Sequence, residues 1–140
     1  MIRLAKREDA GTLADLCGQL GYETTKQEIS VRLQHLMDSQ NDAVFVYENA
    51  EGNVCGWVHI FGRYTLEGVF AEIGGLVVDS RFRKQGIGKA LMEHCAQWAR
   101  DHHYPRIRVR SGESRTGAHK FYNEIGYQTV KWQKIFDRSL

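Results

Sequence analysis

The chain has 140 residues and a mass of 16.1 kDa, the size of about one domain. Its 42% apolar and 26% charged residues are ordinary for a globular protein and exclude disorder as the dominant state, because that much apolar surface offsets chain entropy. A net charge of +2 is too mild to imply a nucleic-acid or membrane-surface partner, and no apolar run approaches the ~20 residues of a membrane span.

In chain order, Ile2–Leu4 reads as a short strand. A helix follows from Asp9, with Leu13, Leu16, Cys17 and Leu20 at helical spacing and Gly21 as its stop. Thr25 and Glu28 form a capping box ahead of a second helix, whose apolar stripe is Ile29, Leu33, Leu36 and Met37. Ala43–Tyr47 and Val54–Phe61 read as a strand pair around the turn signal Glu51-Gly52-Asn53. Gly62–Val69 reads as a loop. Phe70–Val78 is a third long strand, and Gly74-Gly75 inside it marks a bulge or a close approach to the backbone.

A strong helix carries Ile87, Leu91, Met92, Cys95, Trp98 and Ala99 on one face and ends over Arg100–Tyr104 before Pro105. Arg106–Arg110 alternates as a half-buried strand. Ala118, Phe121, Tyr122 and Ile125 make a short helical stripe capped by Gly126, and Gln128–Phe136 alternates as a last strand. The order β-α-α-β-β-β-α-β-α-β predicts an α/β fold, a mixed sheet with helices, in a single domain over residues 1–140.

The start of the chain lacks the apolar stretch of a signal peptide. Cys17, Cys55 and Cys95 are odd in number, far apart and outside any C-x-x-C pair, so they read as small buried hydrophobes in a reducing cytoplasm.

The most informative segment is Arg83-Lys84-Gln85-Gly86-Ile87-Gly88-Lys89, between a strand and a helix. Glycines there allow a tight turn whose N–H groups face a ligand, and the helix adds its unpaired N-terminal amides and positive dipole end. Together these suit a phosphate or pyrophosphate, with Arg83, Lys84 and Lys89 around the rim. Lys89 is followed by Ala90, which excludes a P-loop, and Leu91 stands where a dinucleotide fingerprint needs its third glycine.

The remaining pattern, R-x-x-G-x-G at Arg83, Gly86 and Gly88, resembles the acetyl-coenzyme A motif of the GCN5-related N-acetyltransferases (GNAT). Two further segments carry the resemblance. Ile73–Asp79 sits where relatives pair a strand end with pantetheine, and Ala118-His119-Lys120-Phe121-Tyr122-Asn123-Glu124-Ile125-Gly126-Tyr127 matches A-x-x-[FL]-Y-x-x-x-G-[FY] in full. Arg115 departs from the pattern, since relatives often carry asparagine there.

The resemblance implies a mostly antiparallel central sheet flanked by helices and a GNAT-like acyl-CoA N-acyltransferase. It further implies acetyl-CoA as co-substrate, no metal, and direct transfer to an amine. Residues 76–78 (Leu76, Val77, Val78), the loop from Arg83 through Lys84, Gln85, Gly86, Ile87 and Gly88 to Lys89, and Arg115, Ala118 and Phe121 would hold the cofactor. The amide of Val78 would polarise the acetyl carbonyl, beside a splayed neighbouring strand, Arg106–Arg110. Glu72 is the candidate base for the amine or a solvated strand residue, with Glu67 and Glu113 as alternatives. Tyr122 is the candidate proton donor to the departing thiolate, its phenol being protonated at neutral pH.

The acceptor reads as a small-molecule amine, its site walled by Gly62–Val69 and the second helix, with Trp57 and Tyr64 as candidate lining residues. A peptide N-terminus and an acetyl-CoA sensor without turnover are the alternatives. Trp132 belongs either to a homodimer contact on the last strand or to a local core. None of the histidines has metal-ligand pairing, and His59 alone sits on a strand.

Overall fold

In the computed structural model, which describes residues 1–140, one sheet holds β1 (Ile2–Leu4), β2 (Asp42–Glu48), β3 (Val54–Thr65), β4 (Gly68–Val78) and β5 (Ile107–Val109) in that spatial order. The first four strands run antiparallel and β5 runs parallel to β4. The helices are α1 (Ala10–Gly18), α2 (Lys26–Met37), α3 (Ile87–Asp101) and α4 (Thr116–Glu124). Residues 1–109, with the sheet and α1–α3, form one compact unit, and residues 110–140, with α4, form a second.

Within the first unit the strand pleat sorts side chains between two layers. Val44 and Val46 of β2 join Leu13 of α1 and Leu33 of α2 in one core cluster, with Trp57 of β3 packed against it. The opposite face is the α3 side. Phe45 meets His94 edge-on with centroids 4.4 Å apart, and Leu91, Met92 and Cys95 are fully buried. Gly56 permits this packing: a Cβ there would lie 2.8 Å from the carbonyl oxygen of Val77 and 3.4 Å from Leu91.

Local chemistry sets the helix entries. The Thr25 hydroxyl accepts from the Glu28 amide at 3.1 Å, the expected cap. At the start of α1, Asp9 receives a two-pronged Arg3 guanidinium at 2.8 and 3.0 Å and the Lys6 amide at 2.7 Å. Burial pushes the Asp9 carboxyl up, but Arg3 and the Lys6 amide outweigh it and hold the group below its ordinary range. Arg3 also reaches Glu48 at 2.6 Å, tying the sheet edge to the helix start.

Several expectations are corrected. Gly62–Val69 is not a loop: β3 runs on to Thr65, turns through Leu66 and Glu67, and returns as β4 from Gly68. The Thr65 hydroxyl bonds both the amide and the carbonyl of Gly68, closing the turn. Gln128–Phe136 is not a strand, since alternation supplies a face but a strand also needs a ladder partner, and this segment pairs with none. Its Val130, Trp132, Ile135 and Phe136 are exposed, so no local core surrounds Trp132. Met37, the last residue of α2, is exposed, and Cys17 and Trp98 are only half-buried, Trp98 stacking on His102 and Tyr104.

Because Leu91 is completely buried between α3 and the sheet, Leu91→Ala should cost about 2–5 kcal/mol through lost burial and the cavity left behind. The check is a thermal or urea midpoint well below that of the unchanged protein.

Candidate active site

The glycine-rich turn lies where β4 hands the chain to α3. Asp79, 3% exposed, anchors its start. Its carboxylate accepts the Arg81 amide at 3.0 Å and the Arg81 guanidinium at 2.8 Å, and receives Gln19 from the end of α1 at 3.3 Å. Gln19 also accepts the Ser80 amide at 2.8 Å. The Arg81 side chain first, and its amide next, hold the Asp79 carboxyl down to about 2, against the upward push of burial.

From this anchor the backbone enters the left-handed region twice, at Lys84 (φ 62°) and Gly86 (φ 78°). Gly86 caps α3 without a side chain, and the first bond of the helix runs from the Ala90 amide to the Gly86 carbonyl at 3.0 Å. The amides of Ile87, Gly88 and Lys89 therefore open the helix without protein partners. A Cβ on Gly86 would meet nothing within 4 Å, so the space over the turn is open. Arg83, Lys84, Gln85 and Lys89 are exposed around it, while Ile87 is buried and fixes the helix to the sheet. A phosphate fits this cradle, by free amides, dipole and rim charge together. A separate concavity beside it is lined by Tyr47, Asn49, Cys55, Phe82 and Gln85.

The second feature is the end of β4. The ladder to β5 joins Ala71–Ile73 to Ile107–Val109 and stops there. On the other side β4 stays paired to β3 as far as Val78 opposite Gly56. The Asp79 amide bonds the Cys55 carbonyl at 2.8 Å, so Cys55–Asp79 is a hydrogen-bonded pair. Antiparallel pairs alternate, which makes Gly56–Val78 and Val58–Leu76 the non-bonded pairs. The amides and carbonyls of Val78 and Leu76 thus point away from β3, to the side where no strand continues. Only a long contact from Arg83 Nε to the Val78 carbonyl, 3.5 Å, reaches them. Val77 has its main chain turned to β3 and its side chain buried, so it offers no open group.

A bulge precedes this segment. His59 pairs with Gly75 and Ile60 with Ile73, leaving Gly74 as the extra residue, as the glycine pair suggested. The His59 ring lies against Gly74, where a Cβ would collide with its Nδ1, and Trp57 lies against Gly75. His59 Nε2 is 2.7 Å from Asp42 Oδ1 and its ring stacks on Phe61. Glu72, 7% exposed, stands across from Phe61 and shares that face. Register thus collects Asp42, Trp57, His59, Phe61 and Glu72 on the α1–α2 side of the sheet. The His59–Asp42 pair was hidden in the sequence, its members being 17 residues apart. Glu67 sits in the hairpin turn and Tyr64 is exposed.

In the second unit, Arg115 precedes α4 without capping it, and the His119 ring bonds the Gly112 carbonyl at 2.9 Å. Phe121 and Tyr122 are half-buried, meeting edge-on at 5.2 Å, and Ala118 lies one turn before Tyr122. Burial pushes the Tyr122 phenol up, with the Arg115 charge opposing it. The phenol therefore stays protonated at neutral pH. Glu113 is exposed in the segment before α4. The structure contains no group of three or more His, Cys, Asp or Glu placed to hold a metal ion, and no helix long and apolar enough to cross a membrane.

Comparison with known proteins follows the same lines. The model of the acetyltransferase (GNAT) family matches residues 12–127. Rat N-acetylaspartate synthetase is 35% identical over 78 residues, which are 56% of this chain and 25% of that protein. The chain thus spans about a quarter of the length of the N-acetylaspartate synthetases it matches. An uncharacterized N-acetyltransferase of Bacillus subtilis, YhdJ, is 27% identical over 127 residues, 89% of this chain and 87% of that one. Among solved structures, an aminoglycoside 6'-N-acetyltransferase of Acinetobacter baumannii superposes with a TM-score of 0.87 at 13% identity, covering 100% of this chain and 98% of that one. That likeness concerns the fold.

The anchor of the turn yields a pH prediction. The folded-state pKa of Asp79 is depressed from 3.8 to about 2. The stability it contributes is therefore complete above the unfolded value and lost as pH falls through the folded one. Asp79→Asn should lower the thermal midpoint at pH 7, and its gap to the unchanged protein should close between about pH 4 and pH 2. A gap constant across that range would remove the charge from the account.

Proposed function

This chain belongs to the acetyltransferase (GNAT) family, and on that footing we propose that residues 1–140 work as one catalytic domain. It moves an acetyl group from acetyl-CoA directly to a primary amine of a small molecule. The observation that carries this reading is the pairing of two unsatisfied main-chain surfaces within one unit. These are the open amides at the start of α3 and the outward groups of Leu76 and Val78. Unpaired backbone groups in a sheet are costly, and a ligand that completes both is their natural partner.

The cofactor's diphosphate would sit on the amides of the Gly86–Lys89 turn, with Arg83, Lys84, Gln85 and Lys89 around it. Its pantetheine arm would extend the ladder along Leu76 and Val78. Arg115, Ala118 and Phe121 are assigned by resemblance to the same cofactor. Bound acetyl-CoA supplies the acetyl as an activated thioester. The Val78 amide hydrogen-bonds the acetyl carbonyl oxygen and favours the charge that develops there. Glu72 takes the proton that an alkylammonium must lose before its nitrogen can attack. As the new C–N bond forms and the C–S bond breaks, the nitrogen loses its second proton to water, and Tyr122, assigned by resemblance, would give its hydroxyl proton to sulfur and take one back from water. Burial of that phenol keeps the proton in place beforehand.

A small-molecule acceptor draws support from the N-acetylaspartate synthetases, whose name gives an acetylated amino acid. Cytoplasmic location and a homodimer belong to the proposal as well. Thiol release from acetyl-CoA across a panel of amines, amino acids and peptides tests the reading. Turnover on one class supports an enzyme and names its acceptor. Cofactor binding without thiol release on any of them identifies a sensor instead.

Two variants separate binding from chemistry. Gly86→Val places a β-branched residue at φ 78° and fills the open cradle, so coenzyme A affinity should fall about tenfold or more by calorimetry. Normal binding by that variant would refute the assignment of the turn. Tyr122→Phe should lower kcat by about 100-fold, the usual scale of one general acid, with KM for acetyl-CoA nearly unchanged.

A further inference from the structure

The α1–α2 face of the sheet gathers guanidinium charge around one aromatic ring. Phe70 of β4 is buried, and two arginines lie on its ring, with Cζ of Arg106 4.8 Å and Cζ of Arg108 4.5 Å from the centroid. Arg63 of β3 stands directly across from Phe70. None of the three forms an ion pair. Two cations over one ring lie within about a Debye length of each other, so they repel. The ring's negative face offsets part of that cost. Covering Phe70 alone would not require two guanidiniums, since one aliphatic side chain would do it.

Register places this cluster beside the groups assigned to the chemistry. Glu72 is in line with Arg108 on β5, and it lies two residues from Phe70 on the same face, about 7 Å along the strand. The Gly74 bulge and His59 follow on the other side of Glu72. Along β4 the face therefore presents cations first, then a carboxylate, then the bulge ahead of Leu76 and Val78.

We propose that this face binds an acceptor that carries an anionic group as well as its amine. Arg106 and Arg108 grip the carboxylate or phosphate, with Arg63 across the ring, and the amine lies toward Glu72. The inference rests on the acetyltransferase reading above and names its substrate class. Guanidinium forks match planar carboxylates and phosphates with paired hydrogen bonds. An oxyanion between Arg106 and Arg108 also removes their mutual repulsion. A purely cationic acceptor, such as a polyamine or an aminoglycoside, would bring like charge to the same place and be disfavoured.

The test is acetyl transfer by the full chain to L-aspartate, O-phosphoethanolamine, spermidine and kanamycin, followed by thiol release. One of the two anionic amines should show a KM at least about tenfold below those of spermidine and kanamycin, and which one it is separates carboxylate from phosphate. The double variant R106Q/R108Q should raise that KM about tenfold or more while leaving KM for acetyl-CoA and the thermal midpoint near those of the unchanged protein. R106K/R108K, which keeps charge and loses the fork, should fall between. A preference for spermidine or kanamycin overturns the inference while the acetyltransferase reading stands. So does an anionic KM that R106Q/R108Q leaves unchanged. Should acetyl-CoA bind without turnover of any amine, calorimetry with L-aspartate and O-phosphoethanolamine decides. No heat from either, or equal heat in R106Q/R108Q, overturns it. A chain that neither binds acetyl-CoA nor releases thiol refutes the acetyltransferase reading and takes this inference with it.

Discussion

Strand β4 is hydrogen-bonded along its whole length on one side and for three residues on the other. The rest of the site depends on that asymmetry. A sheet that kept both ladders to the end would satisfy Leu76 and Val78 internally and leave no main chain for a ligand. Because β5 is only three residues long and parallel, its pairing ends at Ile73–Val109. The open segment stays straight because β3 holds it from the other side, as far as the Cys55–Asp79 bond. The main-chain edge beyond Ile73 is thus held in line from one side, as a preformed ligand site requires.

The turn that follows inherits its position from packing. Ile87, Leu91, Met92, Cys95 and Ala99 bury one stripe of α3 on the sheet, so the helix axis cannot drift. Asp79 and Gln19 then fix the three residues between strand and turn, one with a charge-assisted pair and the other by bridging from α1. The positive φ angles at Lys84 and Gly86 come after these constraints. The strained part of the loop is therefore short, and its amides emerge with the core already set. Cofactor geometry is in this sense a consequence of apolar burial several residues away.

Much of this was legible in the residue order. Local rules gave the Thr25 cap, the α3 stripe, the bulge at Gly74 and the open turn at Gly86, because each depends on neighbours within a few positions. The chain reads less clearly where the deciding partner is distant. Arg63, Tyr64 and Thr65 are polar enough to pass for loop, yet cross-strand pairing to Gly68–Phe70 makes them strand. Gln128–Phe136 alternates well enough to pass for strand, yet nothing pairs with it. Which of Leu76, Val77 and Val78 exposes its main chain is a matter of ladder parity, which follows from the Asp79–Cys55 bond and not from side-chain type. The His59–Asp42 pair and the arginines over Phe70 are products of register between strands and have no local signature.

The bulge explains how one strand serves two purposes. In a regular strand Glu72 would share its face with Leu76 and Val78, two and three steps of the pleat away. Those residues pair with Val58 and Gly56 on the α3 side, where Leu91 and its neighbours make an apolar core. A carboxylate on that side would stand among those apolar side chains instead. The extra residue at Gly74 breaks the alternation, so Glu72 instead faces the α1–α2 side with Phe61 and Phe70 as its neighbours. The main chain beyond the bulge still points into the plane of the sheet, toward the side β5 leaves open. Only glycine is accommodated at both bulge positions, because the rings of His59 and Trp57 occupy the space a Cβ would need. The two glycines thus convert a single strand into a carboxylate on one face and a main-chain edge beyond it, a combination that an unbroken pleat cannot supply.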